Sequence, residues 1–442
     1  MLAGAALADA TAYVGAMVID GSGAPPHHTS VLVEDGRIIS LGGDIAGASV
    51  VDLSGKWLIP GLIDAHVHFF QSGGLYTRPD VIDLRHVVSY EDEIAALRAR
   101  LDETLARTFA AGITAVLDLG GPPWVLALRE HARSLAAAPR IVAVGPLLAT
   151  WAPQEITGDA IVLVETPDQA IAEVRRQAAQ SVDMIKIWFI RRGQGQTLAA
   201  AESWIAAAMD EAHRLGLRVA VHATQLETAR SALALGADML VHSVDDAALD
   251  PAFLAELGDR VPYIPTLGVY DAYWRVLGQS LGLNALDHRY GDRQVLASLD
   301  DLSQMSREQR PHWLRFGDPP PINPVMLDNL ASAHAAGVIV AAGSDAGNIG
   351  SLPGAGFHRE LALMAAAGLS PMAVLDAATR DAAKALGRDD IGTLAPGLRA
   401  DMVVLDADPL ADIANAARIH RVIKDGIAHD PDAILAGLSN NR

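Results

Sequence analysis

The sequence lacks cysteine altogether, since none of its 442 residues is Cys. Disulfide bonds and thiolate ligands are therefore excluded, and any bound metal ion must be held by nitrogen and oxygen atoms. Basic residues are also scarce: 34 Lys and Arg stand against 53 Asp and Glu, which gives a formal net charge of -19. This acidic balance would repel phosphate backbones, and no basic cluster offsets it, so we expect no nucleic-acid partner.

Long apolar runs are missing as well. No stretch approaches the ~18 uninterrupted apolar residues of a transmembrane helix, so we expect a soluble, cytoplasmic protein with no membrane partner. The opening MLAGAALADA is small and apolar with an Ala-x-Ala-like end, but it lacks the basic front of a signal peptide. It is either the remnant of a signal peptide, which would make the protein periplasmic, or an ordinary frayed terminus.

Half of the residues are hydrophobic, which allows a large core. The two ends of the chain are rich in short β-like runs. Residues 12–53 contain AYVGAMVID, SVLVEDGRIISLG and SVVDLSG between Gly, Pro and Asp turn signals. After the Pro396-Gly397 break, DMVVLDADP and IHRVIKDGIA have the same character. The length suits one barrel of ~250 residues together with a smaller module.

The middle of the chain alternates eight strand-like runs with Ala- and Leu-rich helical segments. The runs are LIDAHVHF, ITAVLDLG, RIVAVGPLL, DMIKIWFI, LRVAVHA, DMLVHS, VPYIPTLG and VIVAAGSD. Eight such units predict an α/β fold in which a parallel (β/α)8 barrel is surrounded by helices. The stretch from about Val269 to Pro324 is too long for an ordinary connection, so it is either a lid or a surface insertion with its own helices.

Polar side chains interrupt these apolar runs at or near their carboxyl ends. The six are His66 and His68 on the first run, Lys186 on the fourth, His222 on the fifth, His242 on the sixth and Asp345 on the eighth. His66 and His68 are two residues apart and share one face of a strand. A single buried His or Lys is more often a hydrogen-bonded core residue than a ligand. Six at the end of a barrel where βα loops converge indicate a metal site.

Lys186 lies in the apolar run DMIKIWFI. A buried, unpaired ammonium group is so costly that the amine is expected to be neutral, and a neutral amine is nucleophilic. It could form a Schiff base with a carbonyl substrate, or react with carbon dioxide to give a carbamate. The nearby histidines and aspartate favour the carbamate, because two cations would stabilise its negative charge.

The motifs PGLIDAHVH, IKI, VAVHA, VHS, AGSDAG, HRELALM and IGTLAPGLRADMVVLDADPL extend over nearly the whole chain. Together they resemble the amidohydrolase superfamily, in particular its branch of imidazolonepropionase-like hydrolases and Xaa-Pro or arginine-type dipeptidases. The resemblance implies a distorted (β/α)8 TIM barrel and a small β-sandwich formed by both termini. It places the sandwich in residues 1–59 and 391–442 and the metal-dependent hydrolase barrel in residues 60–390.

The same resemblance implies a binuclear metal centre made by the six polar residues: His66, His68 and Asp345 on one ion, His222 and His242 on the other, and N6-carboxylated Lys186 bridging both. Zn²⁺ is the expected metal, although manganese, cobalt and iron suit the same donors. A hydroxide shared by the two ions would attack, and Asp345 would act as general base and acid. The glycines of AGSDAG would let the backbone approach this centre, or would form a plain turn.

The chain departs from the family pattern after the third and fourth strands. The dipeptidase branch carries a histidine beyond the third strand that polarises the substrate carbonyl, whereas this chain has Thr150 and Trp151 there. It also has IWFIRRGQGQ where the branch has a small, Gly-rich loop. Asp64 and Asp118 would orient neighbouring side chains, or, for Asp118, form a structural ion pair.

Four residues are candidate substrate contacts. Arg191, followed by Arg192, would clamp a substrate carboxylate or lie solvated in a loop. Trp151 and Tyr270 would line an aromatic pocket, together with Trp188, Tyr273 and Trp274, or pack in the core. His358, in GFHRELAL, matches a family position near the pocket, and its alternative role is a cap at a helix start.

We therefore expect a binuclear metal-dependent hydrolase that cleaves an amide bond, dipeptide-like or not, of a small substrate with an apolar or aromatic portion. One alternative is that the same site hydrolyses a lactone, a carbamate or an organophosphate ester, because an activated hydroxide is indifferent to the leaving group. The other is a catalytically silent relative that binds metal or small molecules without turnover. Relatives in this superfamily often assemble, so a homo-oligomer is consistent with the resemblance.

Overall fold

The computed structural model describes residues 10–191, 196–278, 282–304 and 322–440. Residues 1–9, which carry the candidate signal remnant, lie outside this set, as does Arg192. Within the described ranges, no helix has the length and apolar character needed to cross a bilayer.

Strands fall into three groups along the chain. The N-terminal group is β1 (Thr11–Val14), β2 (Met17–Val18), β3 (His27–His28), β4 (Val31–Glu34), β5 (Arg37–Leu41), β6 (Ser49–Asp52) and β7 (Trp57–Pro60). The middle group is β8 (Leu62–Val67), β9 (Ile113–Asp118), β10 (Arg140–Ala143), β11 (Leu147–Ala149), β12 (Ile161–Leu163), β13 (Met184–Trp188), β14 (Arg218–His222), β15 (Met239–Val241) and β16 (Tyr263–Ile264). The C-terminal group is β17 (Met402–Leu405), β18 (Ile419–Lys424) and β19 (Ile427–His429).

Most helices follow strands of the middle group. The α-helices are α1 (Tyr90–Arg98), α2 (Leu101–Ala110), α3 (Trp124–Ala132), α4 (Pro167–Ala179), α5 (Leu198–Arg214), α6 (Leu226–Ala234), α7 (Pro251–Leu257), α8 (Leu267–Leu277), α9 (Ala285–Tyr290), α10 (Arg293–Asp300), α11 (Pro324–Ala335), α12 (Ala355–Ala366), α13 (Pro371–Ala377), α14 (Arg380–Leu386) and α15 (Pro431–Asn440). Short 3-10 helices span Asp301–Gln304 and Ile413–Ala417.

The outer strands form two sheets that draw on both ends of the chain. One has the order β5-β4-β1-β6, and the other has the order β19-β18-β17-β7-β2-β3. Strand β17 pairs antiparallel with β7, with Met402 opposite Pro60. The two sheets share a buried apolar cluster that includes Tyr13, Val31, Leu58 and Ile423. Residues more than 300 positions apart in sequence therefore pack into one core.

The middle strands form two parallel sheets, with the orders β10-β9-β8 and β12-β11-β13-β14-β15-β16. Every residue of β8, β9 and β13 is buried, as expected of parallel strands that are covered on both faces. One buried cluster joins the two sheets, and its members include Ile63, Leu117, Met184, Ala220, Met239 and Ile264.

The run predicted as the eighth strand differs from a regular strand. Residues 339–346 nevertheless lie between β16 and β8: the N–H of Tyr263 donates to the carbonyl of Ile339 (2.9 Å), and the N–H of Ala65 donates to that of Ala342 (2.9 Å). The pairings in this run are isolated ones, of Val340 with Tyr263 and of Ala346 with Val67. At Asp345 a left-handed φ of 51° turns the chain out of the extended conformation.

The long connection that begins near Val269 contains helices of its own. Helices α8, α9 and α10 and the following 3-10 helix occupy its described part, and residues 305–321 lie outside the described residues. Val276 and Leu299 from this connection pack in a buried cluster with Leu75 and Ile82, which follow β8. Helix α8 thereby lies beside the carboxyl ends of the middle strands.

Candidate metal centre

The structure brings the six predicted ligands together at the carboxyl ends of the middle strands. They lie on or directly after strands: His66 and His68 at the end of β8, Lys186 in β13, His222 at the end of β14, His242 after β15, and Asp345 in residues 339–346. In register, β13 and β14 set Trp188 opposite His222. Parallel pairing is what places residues from distant parts of the chain at one end of the sheets.

His66, His68 and Asp345 form a group that could hold one metal ion. The Nε2 atoms of the two histidines are 3.2 Å apart, and each lies 3.3 Å from Oδ1 of Asp345. The Nδ1 atom of His68 lies 2.8 Å from the carbonyl oxygen of Gly120. A hydrogen bond there leaves Nε2 of His68 with its lone pair directed to the group.

His222 and His242 adjoin this group. Their ring centroids are 4.2 Å apart, and the ring of His242 lies 4.9 Å from that of His66. Nδ1 of His242 is 2.7 Å from the hydroxyl of Thr266 and 3.9 Å from Oδ2 of Asp345. The hydroxyl of Thr266 therefore engages one ring nitrogen of His242 and leaves Nε2 for a ligand.

Burial favours the uncharged form of the basic groups of the centre. It lowers the pKa of His66 and His242 well below the usual imidazole value, and it lowers the pKa of His68 to about 3. Burial also lowers the pKa of Lys186, opposed by the charge of Asp345. Among the described residues, the Nζ atom of Lys186 has no hydrogen-bond partner. Neutral nitrogen lone pairs and an orphaned amine fit a divalent cation as the missing partner.

Two glycines allow the chain around Asp345 to approach the centre. A Cβ atom on Gly343 would lie 2.8 Å from the Cβ of His66 and 2.6 Å from a methyl carbon of Ile264. A Cβ atom on Gly347, which has a φ of 109°, would lie 2.4 Å from the carbonyl oxygen of His68. The motif AGSDAG is thus needed for close approach rather than for a plain turn.

Two buried acids brace the backbone near the ligands. Asp64 accepts hydrogen bonds from the hydroxyl of Ser344 (2.5 Å), the N–H of Ser344 (2.9 Å) and the N–H of His66 (3.2 Å). Asp118 accepts from the N–H groups of Phe69 (3.2 Å) and Gly120 (3.3 Å), so it holds backbone, whereas the sequence suggested an oriented side chain or an ion pair. Burial raises the pKa of both acids to about 7.

A cavity of about 460 Å³ opens above the ligands. Lys186, His222 and Asp345 are among the residues at its polar end. Its other walls are mostly apolar and aromatic, formed by Phe70, Val81, Leu147, Ile156, Ile161, Trp188, Phe189, Ile190, Val269, Tyr270, Trp274 and Met326. Such a cavity suits a small molecule with an apolar part.

The predicted substrate contacts have different positions relative to this cavity. Arg191 and Tyr270 line it, and Arg191 is also ion-paired with Glu227. Trp151 is not among the described lining residues, but its ring packs against Trp188, with 5.7 Å between centroids.

His358 requires a correction, because it does not belong to the described cavity lining. Its Nε2 atom lies 2.9 Å from the carbonyl oxygen of Ala111, and its ring stacks on Tyr290. The imidazole is buried between α12 and the end of α2, so it braces these helices instead of facing a substrate. It is not a helix-start cap either.

Sequence reasoning missed three residues that adjoin Asp345 and line the cavity or hold it in shape: Arg78, Tyr273 and Asn348. Tyr273 was considered only as an aromatic wall. Asn348 stands three residues after Asp345, a spacing at which an amide commonly bonds the preceding backbone, and this was the one available signal. Arg78 follows β8 in an irregular loop that no periodic pattern describes.

Comparison with known proteins finds similar proteins along nearly the whole chain. A model of the amidohydrolase family matches residues 57–428. The chain is 27% identical over 427 residues to an imidazolonepropionase from Mesorhizobium japonicum, which covers 87% of this chain and 88% of the relative. A solved structure of a candidate prolidase from Bifidobacterium longum matches with a TM-score of 0.71 and 26% identity, over 98% of this chain and 99% of that one.

A Xaa-Pro dipeptidase solved with bound methionine supports the fold, with a TM-score of 0.71 and 22% identity over 95% of this chain and 100% of the other. The family resemblance that the motifs indicated is therefore confirmed. The match over most of the chain, joined to the cluster of histidines and aspartate, shows that this protein belongs to the amidohydrolase family.

Proposed function

We propose that this protein is a binuclear metal-dependent hydrolase that cleaves an amide bond of a small, partly apolar substrate. One observation carries the proposal: a buried cluster of imidazoles, a lysine and a carboxylate lies at the polar end of a cavity whose other walls are mostly apolar. The names of the imidazolonepropionase and dipeptidase relatives support a carbon-nitrogen bond as the target.

The family resemblance implies how the donor set would hold two ions: His66, His68 and Asp345 would bind one, His222 and His242 the other, and carboxylated Lys186 would serve both. When bound, divalent ions, with Zn²⁺ the best fit to imidazole and oxygen donors, would lower the pKa of a water molecule and polarise the scissile carbonyl. The lowered pKa of the Lys186 amine supports its carboxylation, because only the neutral amine reacts with carbon dioxide.

Asp345 is the residue that would move the proton. Its Oδ1 atom faces His66 and His68, and Oδ2 lies farther from them, near His242. Burial raises the pKa of this carboxyl group, opposed by the charges of Lys186 and Arg78. From this position Asp345 would accept a proton from the attacking water and donate it to the leaving amine.

The apolar walls exclude water and select the substrate. Tyr270 and the Trp188 ring, supported by Trp151, would contact its aromatic or branched part. Arg191, at the cavity edge, would attract an anionic group after exchanging its partner Glu227.

We also propose the domain organisation behind this site. Residues 60–390 would close into a distorted (β/α)8 barrel, and residues 1–59 and 391–442 would form a β-sandwich. The apolar cluster shared by the two middle sheets and the backbone hydrogen bonds of residues 339–346 to β16 and β8 support closure. The cluster between the two outer sheets supports the sandwich.

The proposal is tested by metal analysis of the purified protein and by a panel of N-acyl amino acids, dipeptides, aryl esters and lactones. We expect about two divalent ions per chain and faster hydrolysis of amides than of esters relative to their uncatalysed rates. Preferred turnover of lactones or aryl esters would move the assignment to the ester alternative. Absence of metal, and of metal-dependent turnover with bicarbonate supplied, would support the silent relative.

The variant Lys186→Ala tests the bridging ligand. We expect it to lose metal and activity together and to recover part of both with short carboxylic acids, which replace the carbamate. Lys424→Ala is the matched control, because Lys424 is also a buried lysine but lies in the outer sheets, where its ammonium donates to the carbonyl of Ala138 (2.7 Å). A Lys186→Ala protein that keeps full metal content would contradict the proposed bridge.

A further inference from the structure

A hydrogen-bonded network of Arg78, Tyr273 and Asn348 adjoins Asp345 at the wall of the cavity. All three side chains line the cavity, and they come from the loop after β8, from helix α8 and from the loop after residue 346. The reaction scheme above assigns them no role. Their contacts nevertheless converge on the carboxylate that would move the proton.

Asn348 uses every hydrogen-bonding group of its side-chain amide. Its Oδ1 accepts from the hydroxyl of Tyr273 (2.7 Å) and from Nη1 of Arg78. Its Nδ2 donates to the carbonyl oxygen of Asp345 (3.1 Å) and to Oδ1 of Asp345 (2.8 Å). A flipped amide would turn its N–H groups toward two donors and its oxygen toward a carboxylate, so only one orientation is stable.

Arg78 is occupied in holding this orientation and is not available as a substrate clamp. Its Nε and Nη2 atoms donate to the two carboxylate oxygens of Asp80, both at 2.7 Å. Its Nη1 donates to the hydroxyl of Tyr273 (3.1 Å) and to Asn348. Four of the five N–H groups of a guanidinium are thereby engaged. The Asp80 side chain is only 2% exposed, so this fork is rigid.

The network acts on the conformation of Asp345 at two points. The bond from Asn348 to the carbonyl of Asp345 stabilises its left-handed backbone, with a φ of 51°. The bond to Oδ1 holds the oxygen that also faces His66 and His68, which leaves Oδ2 unengaged by Asn348. The two carboxylate oxygens are thus given different surroundings.

We propose that Asn348, held by Arg78 and Tyr273, is a positioning residue that fixes Oδ1 of Asp345 on the metal side and keeps Oδ2 directed for proton transfer. This inference rests on the proposed function. Tyr273 lies on α8 together with the cavity residues Tyr270 and Trp274. The network therefore also connects this aromatic wall of the cavity to Asp345.

The test compares Asn348→Ala, Tyr273→Phe and the double variant in the full chain loaded with Zn²⁺. We expect Asn348→Ala to lower kcat by about 10- to 100-fold, as loss of a group that orients a metal ligand commonly does, with KM within about twofold. Its affinity for Zn²⁺, measured by competition with a chromophoric chelator, should fall about tenfold. Tyr273→Phe removes one neutral hydrogen bond and should lower kcat about threefold to tenfold.

The double variant should be no slower than Asn348→Ala alone, because Tyr273 acts through Asn348. The control is Tyr13→Phe, which also removes a buried hydroxyl bond, to the carbonyl of Gly426 (2.8 Å), but in the outer sheets. It should lower Tm without changing kcat or Zn²⁺ affinity.

Two results would overturn the inference alone: an Asn348→Ala protein with the kcat and Zn²⁺ affinity of the wild type, or a double variant whose loss is the product of the two single losses. A wild-type protein that neither binds Zn²⁺ nor hydrolyses any member of the panel would overturn the proposed function, and the inference with it.

Discussion

The backbone at the metal centre is strained at single residues. His242, Thr266 and Asp345 have φ values of 75°, 47° and 51°, in the left-handed region that side chains rarely adopt. Each such residue costs about 1–3 kcal/mol, which the surrounding structure must offset. Two hydrogen bonds at these residues contribute to the offset. One joins the hydroxyl of Thr266 to Nδ1 of His242, and the other runs from the side-chain amide of Asn348 to the carbonyl oxygen of Asp345.

Gly343 is the residue whose replacement tests how tightly Asp345 is packed against β8. We expect Gly343→Ala to lower the free energy of unfolding by about 1–3 kcal/mol, because the new methyl group would overlap Ile264 and His66. It should also weaken Zn²⁺ binding. Urea unfolding and chelator competition measure the two effects.

Gly437→Ala is the matched control, since a Cβ at Gly437 in helix α15 meets nothing within 4 Å. Alanine there should stabilise the protein by roughly 0.5–1 kcal/mol, the usual gain for alanine over glycine inside a helix. Equal unfolding free energies for the two variants would show that residue 343 has space for a side chain.

At the scale of an element, helix α8 begins in an unusual way. Its N-cap residue Thr266 makes no side-chain bond to the helix, because its hydroxyl lies at His242. The fully buried Glu360 of α12 takes its place and accepts the N–H groups of Leu267 (3.0 Å) and Gly268 (2.6 Å). A carboxylate from another helix thus satisfies the first donors of α8 and frees Thr266 for the metal centre.

We expect Glu360→Gln to lower the free energy of unfolding by about 1–3 kcal/mol, because the amide nitrogen would face one of these N–H groups and leave it unsatisfied. The start of α8 should shift, and Zn²⁺ affinity should fall because Thr266 moves away from His242. Thr166→Ala removes the cap of α4 and is the control. It should cost about 0.5–2 kcal/mol of stability with no change in Zn²⁺ affinity. A Glu360→Gln protein that binds Zn²⁺ with wild-type affinity would show that the start of α8 does not influence the candidate metal centre.

At the scale of the molecule, a chain of ion pairs joins the middle sheets to the outer sheets. Arg140 of β10 pairs with Asp401 (2.8 Å) and Asp425 (2.5 Å). Arg399 also pairs with Asp425 (2.9 Å) and extends the chain to Asp390 (2.8 Å). These contacts connect Arg140, within the proposed barrel, to residues at and after the proposed boundary between residues 390 and 391.

Asp390 makes this junction sensitive to pH. Hydrogen bonds from Arg388, opposed by burial and aided by Arg399, hold its pKa well below the usual range. Because its folded pKa lies below the unfolded value, the carboxylate stabilises the fold above about pH 4, and this contribution is lost as the pH falls toward the folded pKa.

We expect Asp390→Asn to lower the free energy of unfolding at pH 7 by on the order of 1 kcal/mol, since solvent reaches the pair. The difference from wild type should narrow as the pH falls from about 5 to 3. Urea unfolding at a series of pH values from about 5 to 3 measures this difference in unfolding free energy. The control is Asp259→Asn, at an exposed residue. A difference that stays constant down to pH 3 would exclude a role for the ionised carboxylate.

The family, the alternation of parallel strands and helices, and the identities of the six residues that the structure gathers at one place could all be predicted from the sequence. These features depend on local patterns: apolar runs set buried strands, and a polar residue at a strand end is visible without its partners. Three hydrogen bonds became visible only in the folded structure. They join His358 to the carbonyl of Ala111, Asn348 to the carboxylate of Asp345, and Glu360 to the first N–H groups of α8. Arg78 and Asn348 are 270 positions apart, so their contact depends on how whole elements pack, and no local period encodes it.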